Sequence, residues 1–405
     1  MKILEVIHGF PPYYMAGSEV YAYTLSQELS KFHNVYVFTR IENPFWKNYR
    51  ISMDNIDKIH IIRINKAKND YSLSDKYLDK KIDDIYTKIV KDINPDIVHI
   101  QHLSHLSTNI VNITKEVFQK PIVFTIHDFW MFCIRGQLIT SEHKICNGPD
   151  IIHCTKCLNY IHTNEREIIE YLKHMRKVLN NIDVFLSPSK TLREFYVKMG
   201  IPSSKIIYSP YGFKKSKISY KKNIYTKDSI ITFGFLGRII PAKGIHILIK
   251  AFSSIKNKKG SKLEIYGDAS KYQAYLKEFG NENIYFMRGF DNDEIDKILE
   301  NIDILVVPSI WYENSPLVIQ EAFLKGIPVI TSDIGGMREL VDDGIDGFLF
   351  KMGDVNSLKE ILKRIIENPK TLNKLNINRD KVRGIENDAK SMTNIFGGLI
   401  NEITE

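Results

Sequence analysis

A chain of 405 residues is longer than a single hydrophobic core usually grows, so two domains are the default expectation. The formal net charge of +8 is modest for this length and leaves room for an anionic partner, but no zinc-finger, RNP or helix-turn-helix signature points to nucleic acid. The opening MKILEVIHGF breaks its apolar run at Glu5 and His8, too soon for a signal peptide, and no later stretch is apolar for long enough to span a bilayer, so a soluble cytoplasmic protein is expected.

In chain order, KILEVI (2–7) reads as a strand, SEVYAYTLSQELSK (18–31) as a helix with Leu25 and Leu29 on one face, and VYVFT (35–39) and IHIIRI (59–64) as strands. A helix near 75–91 carries the stripe Ile82, Ile85, Tyr86 and Ile89, after which DIVHI (96–100) and PIVFTIH (121–127) return to strand. Near-continuous apolar strands separated by helices predict a parallel sheet covered on both faces. After SPYGF (209–213) and the lysine-rich stretch 214–228 a second series begins, with strands IITFGFLG (230–237), KLEIYG (262–267), NIYFM (283–287), DILVVPS (303–309) and IPVIT (327–331) and helices at 244–256, 270–279, 291–300 and 315–325.

The expected fold class is therefore α/β with two Rossmann-like doubly wound domains, residues 1–210 and 211–370, followed by a helical segment 371–405 that crosses back to the first domain. Two such domains side by side leave a cleft at the carboxyl ends of both sheets, where open α/β sheets bind ligands. The fingerprint GxGxxG follows the first strand of neither series, which disfavours a nicotinamide dehydrogenase.

Two motifs carry chemistry. In WYENSPLVIQEA (311–322), serine followed by proline is a strong helix start, placing Ser315 at the N-cap and Pro316 at the first helical position. The free N–H groups of Leu317 and Val318 then suit a phosphate, with Glu313 on the loop before them and Glu321 two turns inside the helix, each able to hold a pair of hydroxyls. In GFLGRIIPAKG (234–244) a strand runs into a glycine-rich loop bearing Arg238 and Lys243, two cations suited to a diphosphate. Taken alone, the glutamates are also read as a solvated loop carboxylate and a helix-surface charge.

The ordered set of PPYYMAGSEVY after the first strand, GFLGR…KG and the Glu313/Glu321 spacing resembles the retaining glycosyltransferases of the large family that includes glycogen synthases and mannosyltransferases (group 1, family four), which have the GT-B fold. The resemblance implies that Arg238 and Lys243 bind the donor diphosphate and steady the leaving nucleotide. Glu321 would hold the ribose and Glu313 the transferred sugar, with the backbone of Asn314, Ser315, Pro316 and Leu317 against phosphates and sugar. Gly237 and Gly267 would line the donor loops. Ala16-Gly17 stands where the family has a Gly-Gly pair beside the donor phosphate, and Ala16 adds a Cβ to that approach. The loop YGDAS (266–270), with Ala269 where the family has glycine, would help to read the base.

His127 matches the family's histidine at the cleft edge and completes an implied catalytic set of His127, Arg238, Lys243 and Glu313. The implied reaction is a retaining transfer that needs no metal or other cofactor for catalysis. A UDP- or GDP-sugar would serve as donor and a glycan or lipid-linked molecule as acceptor, in surface polysaccharide synthesis. A same-fold nucleotide-sugar 2-epimerase and a non-catalytic nucleotide-sugar-binding scaffold are the alternatives.

Three histidines in HIQHLSHLS, His99, His102 and His105, are read as cleft lining and packing, with His102 able to meet a substrate. All four cysteines fall together as Cys133, Cys146, Cys154 and Cys157, a pattern fitting a structural Cys₄ zinc site, with reduced thiols and a redox role as the other readings. The segment HDFWMFCIRGQLI…CNGPD…CTKC resembles an insertion in family members that act on surface polysaccharides. Basic, aromatic-containing pieces such as NPFWKNYR (43–50) and EREIIEYLKHMRK (165–177) suit peripheral contact with the inner face of an anionic membrane, and each by itself equally suits an ordinary solvated face.

Overall fold

The computed structural model describes residues 1–67, 72–221, 223–268, 270 and 283–404. The chain divides into two compact units, Met1–Phe213 with Arg383–Glu405, and Lys214–Val382. Residues 371–382, which the sequence groups with the terminal helix, therefore belong to the second unit.

The first unit is built on a sheet of β1 (Lys2–Ile7), β2 (Asn34–Ile41), β3 (Ile51–Ile56), β4 (Ile59–Asn65), β5 (Ile97–Ile100), β6 (Ile122–Thr125), β7 (Val184–Ser187) and β8 (Ile206–Tyr208), in the order β3-β4-β2-β1-β5-β6-β7-β8. Every pairing is parallel except β3 with β4. Sequence periodicity passes over β3 because ISMDNI lies on the sheet edge and is largely solvated. The chain turns into β4 at Asp57, whose φ is +54°. An edge strand needs no apolar alternation to pair.

Local chemistry sets the flanking helices. The one expected near 75–91 runs Lys80–Ile93: the Asp79 side chain accepts from the N–H groups of Lys81 and Ile82, and Asn94, with φ +46°, ends it. It buries Ile82, Tyr86 and Ile89. The terminal helix Ile385–Thr404 joins the first unit, where Tyr21 Oη donates to Asp388 Oδ2 at 2.9 Å and Arg383 pairs with Asp388 Oδ1 at 3.2 Å.

The second unit carries an all-parallel sheet of β9 (Ile231–Leu236), β10 (Ser261–Tyr266), β11 (Ile284–Phe286), β12 (Ile304–Val307), β13 (Val329–Ser332) and β14 (Gly347–Phe350), in the order β11-β10-β9-β12-β13-β14. Its core gathers Phe233, Leu248, Phe252, Ile265, Ile304 and Leu362. Each such side chain contributes about 1.5–3 kcal/mol on leaving water.

In each sheet the winding reverses at one place. In the first unit β1 lies between β2 and β5, and in the second β9 lies between β10 and β12. The loops leaving two such neighbouring strands diverge and open a crevice at the carboxyl edge.

Candidate functional site

The second unit's crevice lies beyond β9 and β12. Gly237 leaves β9 with φ +147°, and a Cβ there would meet no atom within 4 Å, so a ligand can approach its backbone. Arg238 follows, exposed and without an ion pair among the described residues. The turn Pro241–Lys243 ends at Gly244, φ +68°, where a Cβ would stand 1.8 Å from the Pro308 carbonyl oxygen. Only glycine lets the two loops close to this distance, and the Ile310 N–H donates to the Ala242 carbonyl at 2.9 Å. Gly267, just past β10, packs against the Gly237 carbonyl. Ala269 and most of the helix expected at 270–279 lie outside the described residues.

That clamp delivers Lys243 to Glu313. Lys243 Nζ donates to Glu313 Oε1 at 2.6 Å, with the side chains 22% and 8% exposed, and Ser309 Oγ donates to the same oxygen. The sequence places Lys243 on the diphosphate and Glu313 on the sugar; the structure pairs them with each other, leaving Arg238 as the exposed cation of this loop. Asn314 is buried beside them, and the Gly336 N–H donates to the Glu313 carbonyl at 2.8 Å.

The following helix spans Leu317–Lys325 with Pro316 at the N-cap position, ψ 118°. The expected start is corrected by one residue, and Ser315 does not cap the backbone: its Oγ accepts from Gln320 Nε2 at 3.0 Å. With no side-chain cap, the N–H groups of Leu317 and Val318 are open to an anion. Glu321, one turn on, is half-buried. Its Oε2 is buried without a hydrogen-bond partner among the described residues. Burial pushes its carboxyl up to about 7, against the weaker pull of the Lys217 charge. Buried polar atoms in native proteins are rarely left unpaired, so this oxygen marks a place where a donor group is due.

In the first unit the crevice beyond β1 and β5 holds His8, Glu19, His102 and Asp128. His8 Nε2 and Glu19 Oε1 lie 3.3 Å apart, and Ser18 Oγ donates to Glu19 Oε2 at 2.8 Å. Burial opposes ionisation of Glu19, but the His8 and Ser18 hydrogen bonds outweigh it and draw its pKa down to about 2. The His8 ring lies 4.3 Å from the His102 ring. Because the Ser104 N–H donates to His102 Nδ1 at 3.1 Å, the proton sits on Nε2, which donates to Asp128 Oδ2 at 3.3 Å. Ala16 and Gly17 stand exposed at the start of the helix Gly17–Leu29.

Sequence reasoning singled out neither His8 nor Glu19. The available signal was a polar residue directly after the strand KILEVI and a carboxylate in the first turn of the next helix.

His127 does not present a free ring to a substrate. Gln101 Nε2 donates to Glu5 Oε2 at 3.1 Å, which turns Gln101 Oε1 to accept from His127 Nε2 at 2.8 Å. His127 Nδ1 then accepts from the Tyr211 hydroxyl. Burial, reinforced by the nearby His102, pushes the ring's pKa down to about 3, so it is neutral at ordinary pH. Of the other histidines, His99 is fully buried between Glu5 (2.9 Å) and Thr125 (2.8 Å). His105 meets the Ser104 hydroxyl at 2.9 Å. The four cysteines are half-buried free thiols lining one cavity of the first unit. No helix among the described residues is long and apolar enough to cross a membrane.

Residues 214–382 match the family described as glycosyl transferases group 1, and residues 15–214 match glycosyltransferase family 4. An Escherichia coli UDP-Gal:alpha-D-GlcNAc-diphosphoundecaprenol alpha-1,3-galactosyltransferase is 32% identical over 311 residues, 73% of this chain and 72% of that protein. The chain belongs to the group 1, family 4 glycosyltransferases. An amylovoran biosynthesis glycosyltransferase of Erwinia amylovora is 24% identical to this glycosyltransferase over 63% of the chain and 64% of that protein.

Among solved structures, sucrose-phosphate synthase of Thermosynechococcus elongatus superimposes with a TM-score of 0.73 at 18% identity, covering 99% of each chain. Anabaena HepE in complex with UDP and glucose does so with a TM-score of 0.68 at 17% identity, covering 98% of this chain and 100% of that one. At such identities these two establish the fold, and they are GT-B glycosyltransferases: two parallel-sheet α/β domains are the architecture described above.

Proposed function

We propose that this glycosyltransferase takes a sugar from a UDP- or GDP-sugar, bound at the β9–β12 crevice, and transfers it with retention of configuration to a hydroxyl of a glycan or lipid-diphosphate-linked acceptor in surface polysaccharide synthesis. The observation that carries the donor assignment is the buried carboxylate oxygen of Glu321, without a partner among the described residues, on the helix whose N–H groups open at the strand end. A ribose diol supplies two O–H donors to such a carboxylate. HepE, whose structure contains UDP and glucose, and the galactosyltransferase that uses UDP-Gal make uridine the first base to try.

As the anomeric C–O bond to the diphosphate breaks, negative charge grows on the leaving group. The Arg238 guanidinium, Lys243 and the N–H groups of Leu317 and Val318 are fixed positive groups that stabilise it without a divalent ion in catalysis. The acceptor hydroxyl attacks from the face the diphosphate leaves, and its proton passes to a departing phosphate oxygen. Glu313, held by Lys243 and Ser309, is suited to orienting sugar hydroxyls rather than to attack. His127, neutral and engaged at both nitrogens, braces the first unit's crevice. There His102, Asp128 and Glu19 offer the polar groups that take an acceptor's hydroxyls.

The test is a thermal-shift and turnover screen of the wild type and Arg238→Ala against UDP-, GDP-, ADP- and CMP-sugars, with the anomeric configuration of the product read by NMR. The expected result is stabilisation by one nucleotide class, transfer without added divalent ion, retention, and loss of turnover in the variant with its melting temperature unchanged. No stabilisation by any donor, or an Arg238→Ala enzyme as fast as wild type, would sink the assignment.

A further inference from the structure

The donor chemistry does not use the one cavity that gathers every cysteine of the chain. Cys133, Cys146, Cys154 and Cys157 all line a cavity of about 50 Å³, together with His153 and an apolar wall that includes Phe132, Ile139 and Tyr171. They come from three separate pieces of backbone. Cys133 closes the turn after Trp130, its N–H donating to the Phe129 carbonyl at 2.8 Å. Cys146 follows the isolated bridge between Ile139 and Ile145. Cys154 and Cys157 lie one turn apart on the helix Ile151–Cys157, hence on one face.

Two features say that this segment needs a fastening. Its regular structure is a single bridge and a seven-residue helix with no buried residue, so it has little core of its own, the circumstance in which small folds recruit metals or disulfides. The second is the donor set itself: four sulfurs around one cavity, the ligands that a soft divalent ion takes as thiolates.

We propose that Cys133, Cys146, Cys154 and Cys157 form a structural, tetrahedral Cys₄ zinc site that pins residues 133–157 onto the first unit. As they stand, the four side chains surround the cavity, and among the described residues no three His, Cys, Asp or Glu side chains are gathered closely enough to hold an ion. Binding draws the thiolates inward and releases their protons to solvent. A closed set of four sulfurs leaves no open position for a substrate, so the ion is structural rather than catalytic. Its reach extends to the crevice described above. The Phe129 N–H donates to the Gly136 carbonyl at 3.1 Å, closing the turn that holds Cys133. A Cβ on Gly136 would come within 2.9 Å of Asp128 Oδ2, so that turn rests against the carboxylate paired with His102.

The experiment is elemental analysis of the full-length wild-type protein, purified with a reductant and no chelator, joined to cysteine alkylation read by intact mass before and after chelation. The expected result is about one zinc per chain, four thiols protected until the chelator strips the metal, and charge-transfer and tetrahedral d–d bands on cobalt replacement. Cys154→Ser and Cys157→Ser should retain less than about a tenth of the zinc. A zinc-free protein whose four thiols alkylate at once overturns the proposal, as does a mass deficit of two hydrogens per Cys pair, which reports disulfides. Because the wild type alone decides the matter, failure of a serine variant to fold leaves the test intact. Metal content does not depend on turnover, so this outcome is separate from that of the donor screen.

Discussion

Replacing Glu321 by glutamine tests the proposed donor site at its most unusual group. Burial lifts this carboxyl from an ordinary 4.5 to about 7, a differential of about 3 kcal/mol between its two protonation states. The folded protein binds the proton more tightly than the unfolded chain. The stability this confers is complete below pH 4.5 and is lost as pH rises through 7. A ribose diol that donates two hydrogen bonds favours the ionised form, so nucleotide-sugar binding must expel a proton wherever the carboxyl is still protonated.

Affinity should therefore weaken by up to about tenfold per pH unit below 7 and level off above it. Glutamine at this position should flatten that profile, and should weaken binding at pH 8 by about 1.5–3 kcal/mol, the contribution of a hydrogen bond to a charged group. The assay is isothermal calorimetry with UDP-glucose between pH 5.5 and 8.5 in buffers of different ionisation enthalpy, which counts the protons released. A nucleotide sugar is the right probe because the terminal phosphate of a free nucleoside diphosphate titrates at about 6 and would mimic the effect. No proton release by the wild type at pH 6, or a Glu321→Gln protein that keeps the same pH profile, would refute the reasoning.

Two further outcomes follow from specific contacts. The Lys243 and Glu313 side chains share one short ion pair, so a denaturation cycle of Lys243→Met, Glu313→Gln and the double variant should show a coupling of about 1–3 kcal/mol; additive losses would mean that the pair contributes nothing to the fold. Tyr21→Phe removes the buried hydroxyl that donates to Asp388, which should cost about 1.5–3 kcal/mol and speed hydrogen exchange across the terminal helix Ile385–Thr404, whereas unchanged exchange there would show that the helix is held by packing alone.

Much of this protein is legible from periodicity and punctuation. Apolar runs such as ILVV before WYENSP mark strands that are buried on both faces, and a helix following each of them leaves a parallel, doubly wound sheet as the consistent arrangement. The glycine-rich loop bearing Arg238 and Lys243 and the two glutamates eight positions apart are the features from which the anion and polyol site is proposed, because backbone access, fixed cations and carboxylates follow two strand ends in order. What local pattern cannot carry is a contact between residues far apart in the chain. Lys243 meets Glu313 only because Gly244 fits under the Pro308 carbonyl, and the edge strand Ile51–Ile56 exists only because β4 offers it an unpaired backbone.

The polar crevice of the first unit is likewise a product of strand order. His8, Glu19, His102 and Asp128 converge because β1 sits between β2 and β5, an arrangement set by which sheet packing buries the most apolar surface, not by any residue's neighbours in sequence. The same holds for the cysteines: their clustering within 133–157 is written in the chain, but that all four line one cavity was decided by how the turn at Cys133, the bridge before Cys146 and the short helix fold against each other. Sequence alone determined most of the elements, the fold class and the chemical inventory. Tertiary structure decided which groups are paired, which are buried without a partner, and hence which are poised to meet a ligand, because pairing and desolvation depend on distances that only the packed chain defines.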